Sequence, residues 1–179
     1  MFTISVKTTQ TNPEFLKELK KRVKEIARKK VAIGFPKGKL NAPHYLTNDN
    51  KPGPSIIDVA IWNNFGLGVP RRDFMTPATQ KWQPFCQEIA EKNKEDLISG
   101  RVNIDEVLGT IGQQGASMIA DEIDELKDPP NSPITIHGGL VRTKSGKMIK
   151  VEGKGSSNPL IDSGDMWRAV TYEIRTVEK

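Results

Sequence analysis

A single cysteine, Cys86, stands in the chain of 179 residues, so no internal disulfide can form. That excludes the disulfide-stapled secreted class and points to assembly in a reducing cytoplasm. Histidine is nearly as scarce: His44 and His137 lie far apart, and no H-x-x-x-H or C-x-x-C occurs. Without closely spaced ligands no metal is expected. Cys86 follows Phe85 on a helical stretch and reads as a small hydrophobe, not as half of a Cys/His nucleophilic pair. No apolar run approaches the roughly 20 residues that span a bilayer, so no membrane association is expected. The opening MFTISVKTTQ has no basic-then-apolar order and does not read as a secretory signal. G-x-S-x-G and GxxxxGK[ST] are absent. The carboxylates at 121–125 and the pair Asp162 and Asp165 have no companion base or ligand set. The expectation is a protein that is not an enzyme and holds no cofactor.

Aromatic residues make up only 6% of the chain, and none interrupts the basic segments. Stacking on single-stranded bases therefore has little support, although Lys and Arg alone can meet duplex phosphates. The net charge is +5, and its placement says more than its size. Residues 17–30 hold eight basic and two acidic side chains, and residues 138–154 hold five and one. Residues 121–128 reverse this, with five acidic and one basic. Such clusters are either solvated element faces, complementary patches that meet between copies, or a surface for DNA.

Periodicity supplies the elements. Residues 2–8 alternate as a strand, with Phe2, Ile4 and Val6 on one side. Asn12 and Pro13 open an amphipathic helix carrying Leu16, Leu19, Val23 and Ile26. A second strand covers 31–35 and ends at Pro36. Residues 36–54 form a long loop rich in Pro, Gly and Asn. Ser55 and Asp58 make a capping box for a helix ending at Gly66, with Ile57, Ile61 and Phe65 on its apolar face beside Trp62. Thr76 and Pro77 are expected to open the next helix, and Pro84 to break or kink it. A helix from about Ile104 to Leu126 follows, with Gly109, Gly112 and Gly115 on or beside its apolar face. Each glycine costs roughly 1 kcal/mol of helix propensity, which close approach of another element can offset. Then come an extended DPPNSP, a basic hairpin over 140–151, a Gly/Ser linker GKGSSNP and a closing strand with Val170, Tyr172 and Ile174. The expected fold is α+β, a small and mostly antiparallel sheet packed on several helices. It forms one domain over 1–179, with 138–157 as a hairpin-and-linker insertion.

Three stretches stand out in order: VAIGFPKG at 31–38, IIDVAIWNNFGLGVPRRDFMTPA at 56–78, and NSPITIHGG at 131–139 with NPLIDSGDMWRAVTYEI at 158–174. Together they resemble the tail-completion, or head–tail joining (neck), proteins of long-tailed bacteriophages. Patterns in that family run close to A-x-x-N-E-F-G, I/V-P-x-R-P-F and N-x-P-L-I-D-T-G. Here Asn64 stands for the common Glu, Asp73 for the common Pro and Ser163 for Thr. The resemblance covers residues 30–175 or so.

It implies a virion protein at the neck, or tail top, made in the host cytoplasm and forming a ring, commonly a hexamer. Its implied partners are itself, portal/connector or adaptor proteins, and tail terminator or tail-tube proteins. DNA would pass non-specifically through the lumen. Arg71, Arg72, Phe74 and Met75 are candidate interface residues, an apolar anchor with adjacent Arg, unless Phe74 and Met75 plug the subunit's own core. Lys20, Lys21, Lys24, Arg28, Arg142, Lys144, Lys147 and Lys150 form a candidate basic surface for a lumen or a partner. The hairpin share of these lines a channel, meets a neighbour or is simply solvated. A tail terminator that stops tube polymerisation, and a basic DNA-binding protein without a ring, are the alternatives.

Overall fold

The computed structural model describes residues 12–36, 53–143 and 145–177. The expected N-terminal strand, and all but the ends of the 36–54 loop, lie outside them. The fold is α+β, with six helices and four strands among the described residues. Helix α1 spans Pro13–Arg28, and its Asn12 cap accepts from the Glu14 and Phe15 amides at 3.1 and 3.4 Å. The backbone turns extended at Lys29 and runs straight into β1, Lys29–Gly34.

Two long helices form the centre. Helix α3, Met75–Ser99, and α4, Ile104–Glu125, are joined through Gly100 at φ +76°. The left-handed backbone there suits glycine, and the turn closes as the Arg101 amide donates to the Asp96 carbonyl at 2.9 Å. Of the expected break or kink at Pro84, the break does not occur, and α3 runs through it. Pro84 and Gln80, one turn back, are both exposed, so water can take the carbonyl that the missing N–H leaves free. The helix also starts earlier than Thr76 and Pro77 suggested. Asp73 accepts from the Thr76 amide at 3.0 Å and Asn64 accepts from the Met75 amide at 3.1 Å, so two upstream side chains do the capping.

Strand β1 pairs antiparallel with the closing strand β4, Thr171–Thr176, placing Val31 opposite Ile174 and Ile33 opposite Tyr172. This ribbon lies on α4 over the three glycines. A Cβ at Gly112 would sit 2.5 Å from the Tyr172 ring and 2.8 Å from Val31, and one at Gly115 would sit 2.7 Å from the Trp82 indole. Trp82 is fixed there by donating to the Ile111 carbonyl at 2.8 Å. The glycine spacing thus lets a ribbon and an indole reach the helix backbone.

Helix α2, Ile56–Phe65, has the expected Ser55–Asp58 capping box and ends at Gly66 with φ +72°. It buries a different face from the one expected. Ala60 and Asn64 are inside with Ile56 and Val59 against the core, while Ile61 and Phe65 are 40% and 63% exposed. Small side chains let α2 sit close over Phe74, Leu160 and Met166, and the bulky stripe is turned outward. The core centres on Phe74, Ile119 and Ile123, all fully buried, with Phe35 meeting Phe74 edge to face at 6.3 Å.

A one-turn helix, α5, Pro133–His137, follows the DPPNSP stretch; Ser132 caps it by accepting from the Thr135 amide at 3.3 Å. The hairpin is as expected, β2 Gly139–Arg142 with β3 Met148–Val151, turning at Gly146. The following GKGSSNP is not a free linker. Lys154 and Gly155 amides donate to the Thr135 and Ile136 carbonyls, and the Lys154 ammonium donates inward to the Asn158 and Ile161 carbonyls. Helix α6, Asp165–Ala169, leads into β4.

The glycine stripe makes a paired prediction. Gly112→Ala should lose about 1–3 kcal/mol of stability through overpacking against Tyr172. Gly109→Ala has only the Tyr172 hydroxyl at 3.7 Å, an ordinary contact. It should therefore gain up to about 1 kcal/mol in a denaturant titration.

Candidate assembly surface

The second and third of the stretches that carry the resemblance meet at one side chain. Arg72, 7% exposed, donates from Nε to the Pro129 carbonyl at 3.1 Å and from Nη1 to Asn63 Oδ1 at 3.0 Å. Its Nη2 donates to the Pro130 carbonyl at 3.3 Å and to Asn131 Oδ1 at 3.2 Å. Asn131 in turn donates to the Asn158 carbonyl at 3.2 Å, and Asn158 donates to the Asp124 carbonyl at 2.9 Å. The planar five-donor fork of Arg satisfies four acceptors on two chain segments, which an ammonium could not do in this geometry. No carboxylate pairs with Arg72 among the described residues, so carbonyl and amide dipoles hold the charge. Burial draws the Arg72 pKa below its ordinary value.

The departures from the family pattern are chemically economical. Asn64, buried, offers an oxygen to the Met75 amide, as a Glu could. Asp73 caps α3 where Pro could not accept. Ser163 donates to the Asp165 carboxylate and accepts from its amide, a role that Thr can share.

This placement corrects the expected interface. Phe74, 1% exposed, and Arg72 are interior to the subunit and cannot anchor a neighbour. Met75 packs partly against the core. Arg71 remains outside, paired with Asp73 at 2.5 Å. The structure offers another apolar surface instead. Phe35, Ile57, Ile61, Phe65 and Met75 border a groove of about 210 Å³ floored by Ala60 and Phe74. Exposed Trp62, Leu67 and Val69 extend the apolar surface of this region. The signal for it was in the sequence: Ile61 and Phe65 recur at helical spacing, but so do Ala60 and Asn64, and size alone favoured the wrong face.

Of the basic candidates, Lys20, Lys21, Lys24 and Arg28 are exposed on α1, and Arg142, Lys147 and Lys150 are exposed on the hairpin. Lys144 lies outside the described residues. Opposite in sign, Asp121, Asp124, Glu125 and Asp128 are exposed at the end of α4. Glu122 is tied to Lys81, whose pKa is raised by that hydrogen bond and the carboxylate charge. Cys86 is half-buried, and desolvation pushes its thiol pKa up, away from the nucleophilic form. Among the described residues no cluster of His, Cys, Asp and Glu could hold a metal ion, and no helix is long and apolar enough to cross a membrane. Set against known proteins, the chain matches no family model, no curated protein and no solved structure.

Removing the central guanidinium should be severe. Arg72→Met strands buried acceptors and should lower stability by about 2–4 kcal/mol. Arg71→Ala, next to it but exposed, should change stability by at most about 0.5 kcal/mol in the same titration.

Acid should act through the helix caps. Hydrogen bonds from Ser55 hold the Asp58 carboxyl below its ordinary pKa. Burial works to raise the Asp73 pKa, and the Thr76 and Arg71 donors overcome it to leave it lowered. Their stabilisation is complete above the unfolded carboxylate pKa of about 3.9 and is lost as pH falls through the folded values. Asp58→Asn and Asp73→Asn should each flatten the fall in melting temperature below about pH 4.

Proposed function

We propose that the protein is a non-enzymatic structural subunit of a long-tailed bacteriophage particle. It completes the tail and joins it to the DNA-filled head as a ring of six copies at the neck. The observation that carries this reading is that the second and third motif stretches meet at Arg72. That several residues carrying the resemblance also tie this fold together supports the reading. The outward stripe on α2 supports an assembling role. Several exposed large apolar side chains on one helix and its connector suit an association surface. Clusters of opposite sign on separate elements suit a ring, in which one surface of each subunit meets a different surface of the next.

The mechanism is geometric and electrostatic. Ring closure shapes a lumen, partner rings dock on its two faces, and exposed lysines favour passage of DNA phosphates without sequence readout.

Mass photometry and negative-stain imaging of the pure protein, alone and with purified tails, test this. A six-subunit ring or new density at the tail end is the expected result. A persistent monomer that binds duplex DNA tightly, with affinity falling steeply with salt, would overturn it in favour of a DNA-binding protein.

A further inference from the structure

Two exposed charged surfaces of opposite sign lie at opposite ends of α4. On α1 the apolar stripe is only half covered: Leu19 is buried, while Phe15 is 50% and Val23 is 37% exposed. Lys17, Lys20, Lys21, Lys24 and Arg28 are exposed on the same helix. Helix α1 is fastened at the start of α4. Lys29 pairs with Asp105 at 3.0 Å, and Arg22 donates to the Ile98 carbonyl at 3.2 Å beside the α3–α4 turn. The exposed carboxylates of Asp121, Asp124, Glu125 and Asp128 are at the other end. At about 1.5 Å of rise per residue, about 30 Å separates the two ends. Screening acts over about 8–10 Å in physiological salt, so the clusters cannot neutralise one another within one copy.

We infer that the basic, half-covered face of α1 docks against the acidic C-terminal end of α4 on a second copy of this chain. The inference rests on the ring reading and names the surfaces that build it. Contact between different surfaces at opposite ends is head-to-tail, the type that generates rings when the rotation closes. The acidic end also has apolar area to offer. Arg72 ties α2 to Pro129 and Pro130, immediately after the acidic run, and α2 carries exposed Trp62 and Phe65. Phe15 and Val23 can meet such area while the charges form the rim. The hairpin is the other basic element, but it is rooted at the acidic end itself. Asn158 holds the Asp124 carbonyl, and Lys154 and Gly155 hold α5. It therefore does not face that end from across the molecule.

Two charge-reversed full-length chains test the pairing. One carries Lys20→Glu, Lys21→Glu and Lys24→Glu; the other carries Asp121→Lys, Asp124→Lys and Glu125→Lys, with Glu122, the hydrogen-bonded partner of Lys81, left in place. Circular dichroism confirms that each is folded, and neutral Gln or Asn versions replace any that is not. Sedimentation velocity reads association in solution, and imaging reads it on tail ends. Each variant alone should associate at least about tenfold more weakly than the unaltered chain, because like charges then face each other. An equimolar mixture should regain association, with the two variants alternating. A variant that assembles like the unaltered chain, or a mixture that regains nothing, overturns the pairing and leaves the ring standing. An unaltered chain that is monomeric in solution and absent from tail ends overturns both.

Discussion

One buried guanidinium fixes the relation between the parts of this molecule. Arg72 sits in the connector between α2 and α3, and it binds the turn that follows α4 and the end of α2 at once. Through Asn131 and Asn158 the same network reaches the loop that delivers Leu160 and Met166 to the core. These segments are distant in sequence and irregular in backbone, so hydrophobic packing alone would leave their register loose. Directional donors to four acceptors remove that freedom. A charge with no carboxylate paired to it among the described residues is tolerated because the acceptors are carbonyl and amide dipoles already fixed by prolines and helix ends.

A division of labour follows. The residues that look most distinctive, Asn63, Arg72, Phe74, Asn131 and Asn158, are occupied in holding the subunit together. What is left for neighbours is less distinctive: an outward apolar stripe on α2, a half-covered amphipathic α1, and charges at the ends of a long helix. Such surfaces tolerate exchange of one apolar or basic residue for another, whereas the Arg72 network tolerates almost none. In the proposed ring, the motif residues are therefore fold determinants, and the partner surfaces lie on residues that no motif marks.

Local chemistry was legible in the sequence wherever one residue settles one geometry. The Asn12 and Ser55 caps, the Gly66 and Gly100 stops, the hairpin and the α+β class all follow from residue types at fixed offsets. The glycine stripe of α4 was legible as close packing, though not what packs there, because Tyr172 and Trp82 come from distant segments. Tertiary context misled the rest. Pro84 stays inside α3 because its turn faces water. Asp73 and Asn64 displace Thr76 as caps because the connector folds back on α2. The outward face of α2 was misread because burial followed small size rather than hydrophobicity. Phe74 and Arg72 look like an interface anchor in one dimension and are a core residue and its clamp in three.

Hydrogen exchange before and after assembly tests the central claim that fold and partner surfaces reside on different residues. New protection is predicted in α1 and in 121–128 on assembly, with the amides of 72–74 equally slow in the free and assembled protein. Protection that appears in 72–74 only on assembly, with α1 and 121–128 unchanged, would contradict it.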